Sequence, residues 1–372
     1  MSKKARYIMI GGFLGAGKTT AVGKLARRLT DQGLKVGLIT NDQGSELVDT
    51  KTLRSQGFAT EEIPGGCFCC RFNSLMDAAD RLEESARPDV FIAEPVGSCT
   101  DLVATVTYPL RRIYGESFSI APLSVLVDPI RARRVLGLDD GGNFSQKVIY
   151  IYRKQLEEAD IIVISKSELL ASSQIEELTA ALSREFPQAE IVAVSSREGT
   201  NLDAWFDLIQ HSEQRTRDTM VVDYETYADG EALLGWLNAT INVGGVDEFD
   251  AHQLLEKLAL ALQRRLGDDK AEIAHLKMTF SPDDALSGEV AVINLVRSDY
   301  KPELSVQLDE PVQSGQIILN LRAEADPELL AQAVREGLVE VATKTGLTMT
   351  LDHLEHFRPG KPEPTHRDLV RA

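Results

Sequence analysis

One stretch constrains this chain more than any other: Gly11-Gly12-Phe13-Leu14-Gly15-Ala16-Gly17-Lys18-Thr19-Thr20. It fits G-x-x-x-x-G-K-[ST], with Gly12, Gly17, Lys18 and Thr19 in the fixed positions. Just upstream, Arg6 to Ile10 is short, apolar and β-prone. Just downstream, Thr20 to Thr30 has helical spacing, with Val22, Leu25, Ala26 and Leu29 on one side. Strand, glycine loop and helix form the setting that a phosphate-binding loop requires. Backbone N–H groups must point inward at phosphate oxygens, and glycines let the chain fold that tightly. The helix N-terminus adds a favourable dipole and unpaired donors. Gly12, Gly15, Ala16, Gly17, Lys18, Thr19 and Thr20 are therefore the expected nucleotide-binding residues. Lys18 supplies charge for the β and γ phosphates, and Thr19 a hydroxyl for Mg²⁺.

The 372 residues suffice for two domains with separate cores. A hydrophobic content of 43% and a charged content of 26% are those of a soluble globular protein. The net charge of −17 and pI of about 4.9 disfavour nucleic acid and anionic membrane as partners. No apolar run reaches membrane-spanning length. Met1 to Arg6 is basic and leads straight into the first strand, without the apolar core of a signal peptide, so a cytoplasmic setting is expected. The four cysteines, Cys67, Cys69, Cys70 and Cys99, then read as free thiols or metal ligands rather than a disulfide framework.

Apolar strands alternate with amphipathic helices up to about residue 210. Strands are expected at 34–40, 58–63, 89–93, 121–127, 160–164 and 189–194, with a helix from Asn73 to Ala86. Strands apolar on both faces and separated by helices predict an α/β fold with a mostly parallel sheet, covered on both sides. Ligands of such sheets gather at the carboxyl ends of the strands. The expected division is a P-loop domain over 1–215, an α+β ferredoxin-like domain over 219–357 and an irregular tail over 358–372. The second domain reads as two β-α-β units with an extra strand.

The polar residues at strand ends carry the chemistry. Cys67-Phe68-Cys69-Cys70 follows Pro64-Gly65-Gly66. Its thiols can converge on one soft or borderline cation, with Zn²⁺, Co²⁺ and Ni²⁺ the candidates. Three ligands do not close a tetrahedron; water, Cys99, a second subunit or a client would supply the fourth. Glu94 ends a strand in Glu94-Pro95-Val96-Gly97. It is placed to hold Mg²⁺ through water or to orient an attacking water, with the Gly97 N–H toward the γ-phosphate. Asp42, in Asn41-Asp42-Gln43-Gly44, is a catalytic candidate that also suits plain turn chemistry. Ser165-Lys166-Ser167-Glu168 ends a strand where GTPases place Asn-Lys-x-Asp. Glu168 can accept from guanine N1–H and N2–H, Lys166 can cover the base, and Ser196 stands where a backbone N–H would meet guanine O6. Ser at 165 and Glu at 168 depart from that pattern and leave ATP open.

Taken in order, the P-loop, Asn-Asp-x-Gly, Cys-x-Cys-Cys, Glu-x-x-Gly and base loop resemble the CobW family of P-loop GTPases, relatives of the HypB and UreG metallochaperones. The resemblance covers roughly residues 5 to 210. It implies hydrolysis of GTP with Mg²⁺, with Lys18, Asp42 and Glu94 catalytic. That hydrolysis would be coupled to delivery of Zn²⁺ or Co²⁺, with Ni²⁺ possible, to a client metalloenzyme or corrinoid protein. A metal- or nucleotide-dependent homodimer belongs to the same expectation. The His-rich loop of many members is absent here. Two other activities remain open from the residues alone: a small-molecule kinase, and a nucleotide-gated scaffold with idle thiols. If the strands ending near Ile63 and at Glu94 lie side by side, the thiolates fall next to the γ-phosphate region.

Overall fold

The structure, a computed structural model, describes residues 4–41, 53, 57–283 and 289–369. Two compact units divide them. The first holds 4–41, 57–228 and 361–369; the second holds 53, 229–283 and 289–360.

The first unit is built on an eight-stranded sheet in the order β3-β2-β4-β1-β6-β7-β8, with β5 also pairing β1. The strands are β1 (Ala5–Gly12), β2 (Val36–Asn41), β3 (Ala59–Ile63), β4 (Val90–Glu94), β5 (Phe118–Ile120), β6 (Ser124–Val127), β7 (Ile161–Ile164) and β8 (Glu190–Ala193). Every pairing is parallel. All residues of β2, β4 and β7 are buried, as strands covered on both faces must be. The connecting helices are α1 (Lys18–Asp31), α2 (Phe72–Ser85), α3 (Tyr108–Tyr114), α4 (Pro129–Val135), α5 (Gln146–Glu157), α6 (Ser172–Glu185) and α7 (Leu202–His211). A π-helical turn, Val103–Thr107, runs into α3.

Register brings the strand ends level. Asn41 of β2 pairs with Ile63 of β3, Thr40 with Glu94 of β4, and Ala93 with Met9 of β1. The loops after β1, β3 and β4 therefore leave the same sheet edge. β3 and β4 are not neighbours, however; β2 lies between them. A strand-by-strand reading of the sequence cannot fix that order, because a strand's own residues do not report which strand pairs beside it.

The chain passes from the first unit to the second within α8 (Tyr224–Leu233). The second unit is an antiparallel sheet in the order β12-β11-β10-β13-β9-β14. Its strands are β9 (Leu234–Phe249), β10 (Glu272–Pro282), β11 (Ala291–Leu295), β12 (Glu303–Val306), β13 (Val312–Glu324) and β14 (Thr348–Phe357). The helices α9 (Ala251–Asp268) and α10 (Pro327–Thr345) are N-capped by Asp250 and Asp326. Their Leu and Ala faces share one core with the strands, including Leu255, Leu262, Leu330, Ile241, Leu276 and Leu319. Taken without β11 and β12, the strand order and β-α-β-β-α-β connection are ferredoxin-like. β11 and β12 extend the sheet beyond β10, so the domain carries two added strands where the sequence suggested one.

Candidate nucleotide and thiol site

The loop between β1 and α1 has the geometry its glycines require. Gly12 has φ +129, and a Cβ there would lie 2.3 Å from the Leu126 carbonyl oxygen, so β6 could not approach beside any other residue. Gly17 has φ +92, with open space where a Cβ would stand. The N-terminus of α1 directly follows Gly17, where backbone N–H groups and the helix dipole favour an anion. Lys18 is buried, and its Nζ donates to the Phe13 carbonyl at 3.4 Å. Thr20, expected among the phosphate contacts, is exposed.

Three side chains outside the motif hold this loop. Arg131 Nη1 donates to the Leu14 carbonyl at 3.0 Å. Ser165 Oγ donates to the Ala16 carbonyl at 2.8 Å, and Lys166 Nζ to the Gly15 carbonyl at 2.9 Å. Lys166 itself sits at φ 49 and pairs with Asp128 at 3.0 Å. The sequence pointed to Ser165 and Lys166 as base-loop residues; they also fix the phosphate loop. Arg131 and Asp128 were missed, since nothing in their local sequence distinguishes them from an ordinary helix start and cap.

The loop after β4 packs on the other side. Thr19 Oγ1 donates to Glu94 Oε1 at 2.9 Å. A Cβ on Gly97 would lie 2.8 Å from Leu14 Cδ2 and 3.0 Å from Leu14 N, so this loop and the phosphate loop touch closely. Gln155 Nε2 donates to the Gly97 and Cys99 carbonyls at 2.9 and 2.8 Å. Glu158 accepts from Thr100 Oγ1 at 3.2 Å and from Val103 N at 3.0 Å. Burial pushes the Glu158 carboxyl up to about 8.

In the base loop, Glu168 lies in the short turn Ser167–Leu169, and its Oε2 is buried with no hydrogen-bond partner. An orphaned acceptor of this kind suits a ligand N–H. The loop is tied to the end of β8 by Ser167 N donating to the Val194 carbonyl at 3.0 Å. Ser195 Oγ accepts from Glu198 N at 3.0 Å, which shapes the turn carrying half-buried Ser196.

The three clustered thiols do converge. Cys67 Sγ lies 2.7 Å from Cys69 Sγ and 3.3 Å from Cys70 Sγ, and Cys69 Sγ is 3.6 Å from Cys70 Sγ. All three sulfurs fall within 4.8 Å of one another, as donors around one ion would. Asn41 positions the loop: its Nδ2 donates to the Ile63 carbonyl at 2.9 Å and the Gly66 carbonyl at 2.6 Å. Buried Cys99 reaches Cys67 from the β4 loop. Hydrogen bonds from Cys69, Cys70 and Cys99 hold the Cys67 thiol well below the usual thiol range. The shared contact with Cys67 pushes Cys69 up, and Cys70 up to about 11. One thiolate is thus favoured and its neighbours are kept protonated, because like charges so close cannot all ionise unaided. Asp42 lies outside the described residues.

A phosphate loop closing a parallel sheet, a carboxylate on its hydroxyl and three converged thiols on the same edge define a P-loop nucleotide-binding fold that carries a thiol cluster. The chain belongs to the CobW/HypB/UreG family, whose nucleotide-binding domain matches residues 6–193. It is 31% identical over 166 residues to the zinc chaperone YeiR of Escherichia coli K12, covering 44% of this chain and 47% of that one. It is 29% identical over 217 residues to the zinc chaperone CobW of a Sinorhizobium species, covering 53% and 58%. The chain thus spans about half the length of these curated relatives. Among solved structures, HypB from Helicobacter pylori in complex with nickel is similar with a TM-score of 0.43 at 20% identity, over 58% of this chain and 92% of that one.

Proposed function

We propose that this protein is a GTP-hydrolysing metallochaperone that binds a transition ion at Cys67, Cys69 and Cys70 and delivers it to a client metalloenzyme or corrinoid protein. The observation that carries this is the convergence of the three sulfurs within 4.8 Å on the sheet edge that also bears the P-loop. Zn²⁺ is the favoured cargo, in keeping with the zinc chaperones the chain resembles; Co²⁺ and Ni²⁺ suit the same donors. Cys99, two residues past Gly97, touches Cys67 and so ties the metal site to the loop that carries Glu94.

Lys18 and the backbone from Gly12 to Thr19 bind the β and γ phosphates, while Glu168 accepts from the guanine edge. Thr19 and Glu94, whose oxygens lie 2.9 Å apart, would hold Mg²⁺. That ion, when bound, neutralises charge across the phosphates. Glu94 orients the attacking water, and Gly97 N–H faces the γ-phosphate; Asp42 is the third catalytic residue. No helix among the described residues is long and apolar enough to cross a membrane, and free thiols suit a reducing cytoplasm. Pairing of two copies in the metal- or GTP-bound state would present the cargo.

The test is phosphate release from GTP and from ATP, with and without Zn²⁺, beside Lys18→Ala. Slow GTP turnover that Zn²⁺ changes and Lys18→Ala abolishes is the expected result. Turnover of GTP and ATP at equal rates, unmoved by metal or by Lys18→Ala, contradicts the proposal.

A further inference from the structure

The segment 361–369 forms no helix or strand, yet it belongs to the first unit and lies along the thiol loop. Glu363 N donates to Cys70 Sγ at 3.2 Å. Thr365 makes two bonds, its N donating to the Cys69 carbonyl at 2.8 Å and its Oγ1 to the Cys70 carbonyl at 3.1 Å. His366 meets the Phe72 ring edge-on at 5.0 Å. Beyond this the segment is anchored. Arg367 Nε donates to buried Asp101 Oδ2 at 2.6 Å, and Asp368 pairs with Arg112 at 2.8 Å. At the other end Lys361 pairs with Glu225.

Exposure gives this placement its meaning. Cys67 and Cys69 are 4% and 1% exposed, while Cys70 is only partly buried. Cys70 is therefore the thiol through which an ion can enter or leave the cluster, and it is the thiol the segment touches. An N–H aimed at a sulfur also fixes the rotamer that points it at its neighbours.

We infer that residues 363–368 are a strap that completes the thiol site, positioning Cys70 and partly covering the half-exposed thiol through which the metal exchanges. The inference rests on the metallochaperone proposal for its purpose, but not for its contacts. With the strap seated, bound metal is held; lifting it from the Cys69–Cys70 backbone opens the site to a client. The anchors to Asp101 and Arg112 make release a change at the far end of the strap rather than at the sulfurs.

Two full-length variants test this: Thr365→Ala, which removes the hydroxyl bond, and Thr365→Ala with Arg367→Lys, which also loosens the anchor while keeping charge opposite Asp101. Two rates are measured. One is alkylation of Cys70 by a maleimide in metal-free protein, followed by peptide mass analysis. The other is loss of bound Zn²⁺ to a chelator. Circular dichroism melting shows whether each variant is folded. Losing one or two hydrogen bonds to the strap should speed both rates by roughly fivefold or more in the double variant, with unchanged zinc stoichiometry. Folded variants with parental rates of both reactions overturn the strap. If the parent holds no Zn²⁺, the metallochaperone proposal fails, and the alkylation rate alone decides the strap.

Discussion

Thr19 and Glu94 are 75 positions apart and meet through a 2.9 Å hydrogen bond, the hydroxyl donating to the carboxylate. The contact joins the first turn of α1 to the end of β4. It makes Glu94 a partner of the phosphate site rather than a solvated strand end. Glu94→Gln keeps the size and one acceptor but loses the charge. It should lower GTP turnover by tenfold or more, on the order of the 1.5–3 kcal/mol of a charged hydrogen bond, and change nucleotide affinity much less. Single-turnover hydrolysis beside a binding isotherm separates the two; a larger loss in affinity than in rate would make Glu94 a structural residue.

Glu168 is the proposed reader of the base, and its buried Oε2 has no hydrogen-bond partner. Guanine offers N1–H and N2–H together, and adenine offers no such pair. Glu168→Ala should reduce the preference for GTP over ATP by roughly tenfold. Competition binding with the two nucleotides measures it. Equal affinities in the parent protein would remove guanine recognition from this loop.

Glu158 predicts a pH dependence. Its carboxyl is raised by burial to about 8, above the ordinary value of 4.5. Between those limits the unfolded chain gives up a proton that the folded chain keeps, so stability falls as pH rises from about 4.5 to about 8. Each pH unit of that window is worth about 1.4 kcal/mol from this group. Glu158→Gln, which can still serve Thr100, should flatten the fall. Denaturant melts at pH 5 and pH 8 test it; equal parental and variant slopes would show that the group ionises without cost.

Much of the first unit was legible because its signals are local. The P-loop is a contiguous motif whose glycines report their own backbone, and buried parallel strands advertise themselves as unbroken apolar runs. The clustering of Cys67, Cys69 and Cys70 followed from spacing for the same reason. What the sequence hid depends on distant pairing. Arg131 reaches the phosphate loop, and Asp128 the Lys166 that holds it, only because β6 lies beside β1. The separation of β3 from β4 by β2 is a matter of sheet order, to which apolar runs are blind. β12 is short and half polar, and α8 carries no apolar stripe, so neither stood out. The tail reads as irregular, and residues 358–369 form no helix or strand; the Thr365 hydroxyl bond to the thiol loop spans 295 positions and has no periodic signature.

The thiol cluster itself predicts a metal-dependent proton release. With Cys67 low and Cys69 and Cys70 raised, an ion that takes all three as thiolates must displace the protons of the raised pair. Zinc binding should therefore release protons and weaken as pH falls. Calorimetry in buffers of different ionisation enthalpy counts them. Binding without proton release would place the ion on other ligands.

The central claim is that nucleotide and metal share one free energy through the Glu94–Cys99 loop. Linkage then makes GTP and metal affect each other by the same factor, on the order of 1–3 kcal/mol. The direct measurement is a Zn²⁺ titration of the full-length protein with GDP and with a non-hydrolysable GTP analogue, beside the variant Cys67→Ser, Cys69→Ser, Cys70→Ser. Isotherms that differ by roughly five- to 150-fold between the nucleotides, with tight binding lost in the variant, are the predicted result. Identical isotherms for the two nucleotides, or tight stoichiometric zinc in the variant, would contradict it.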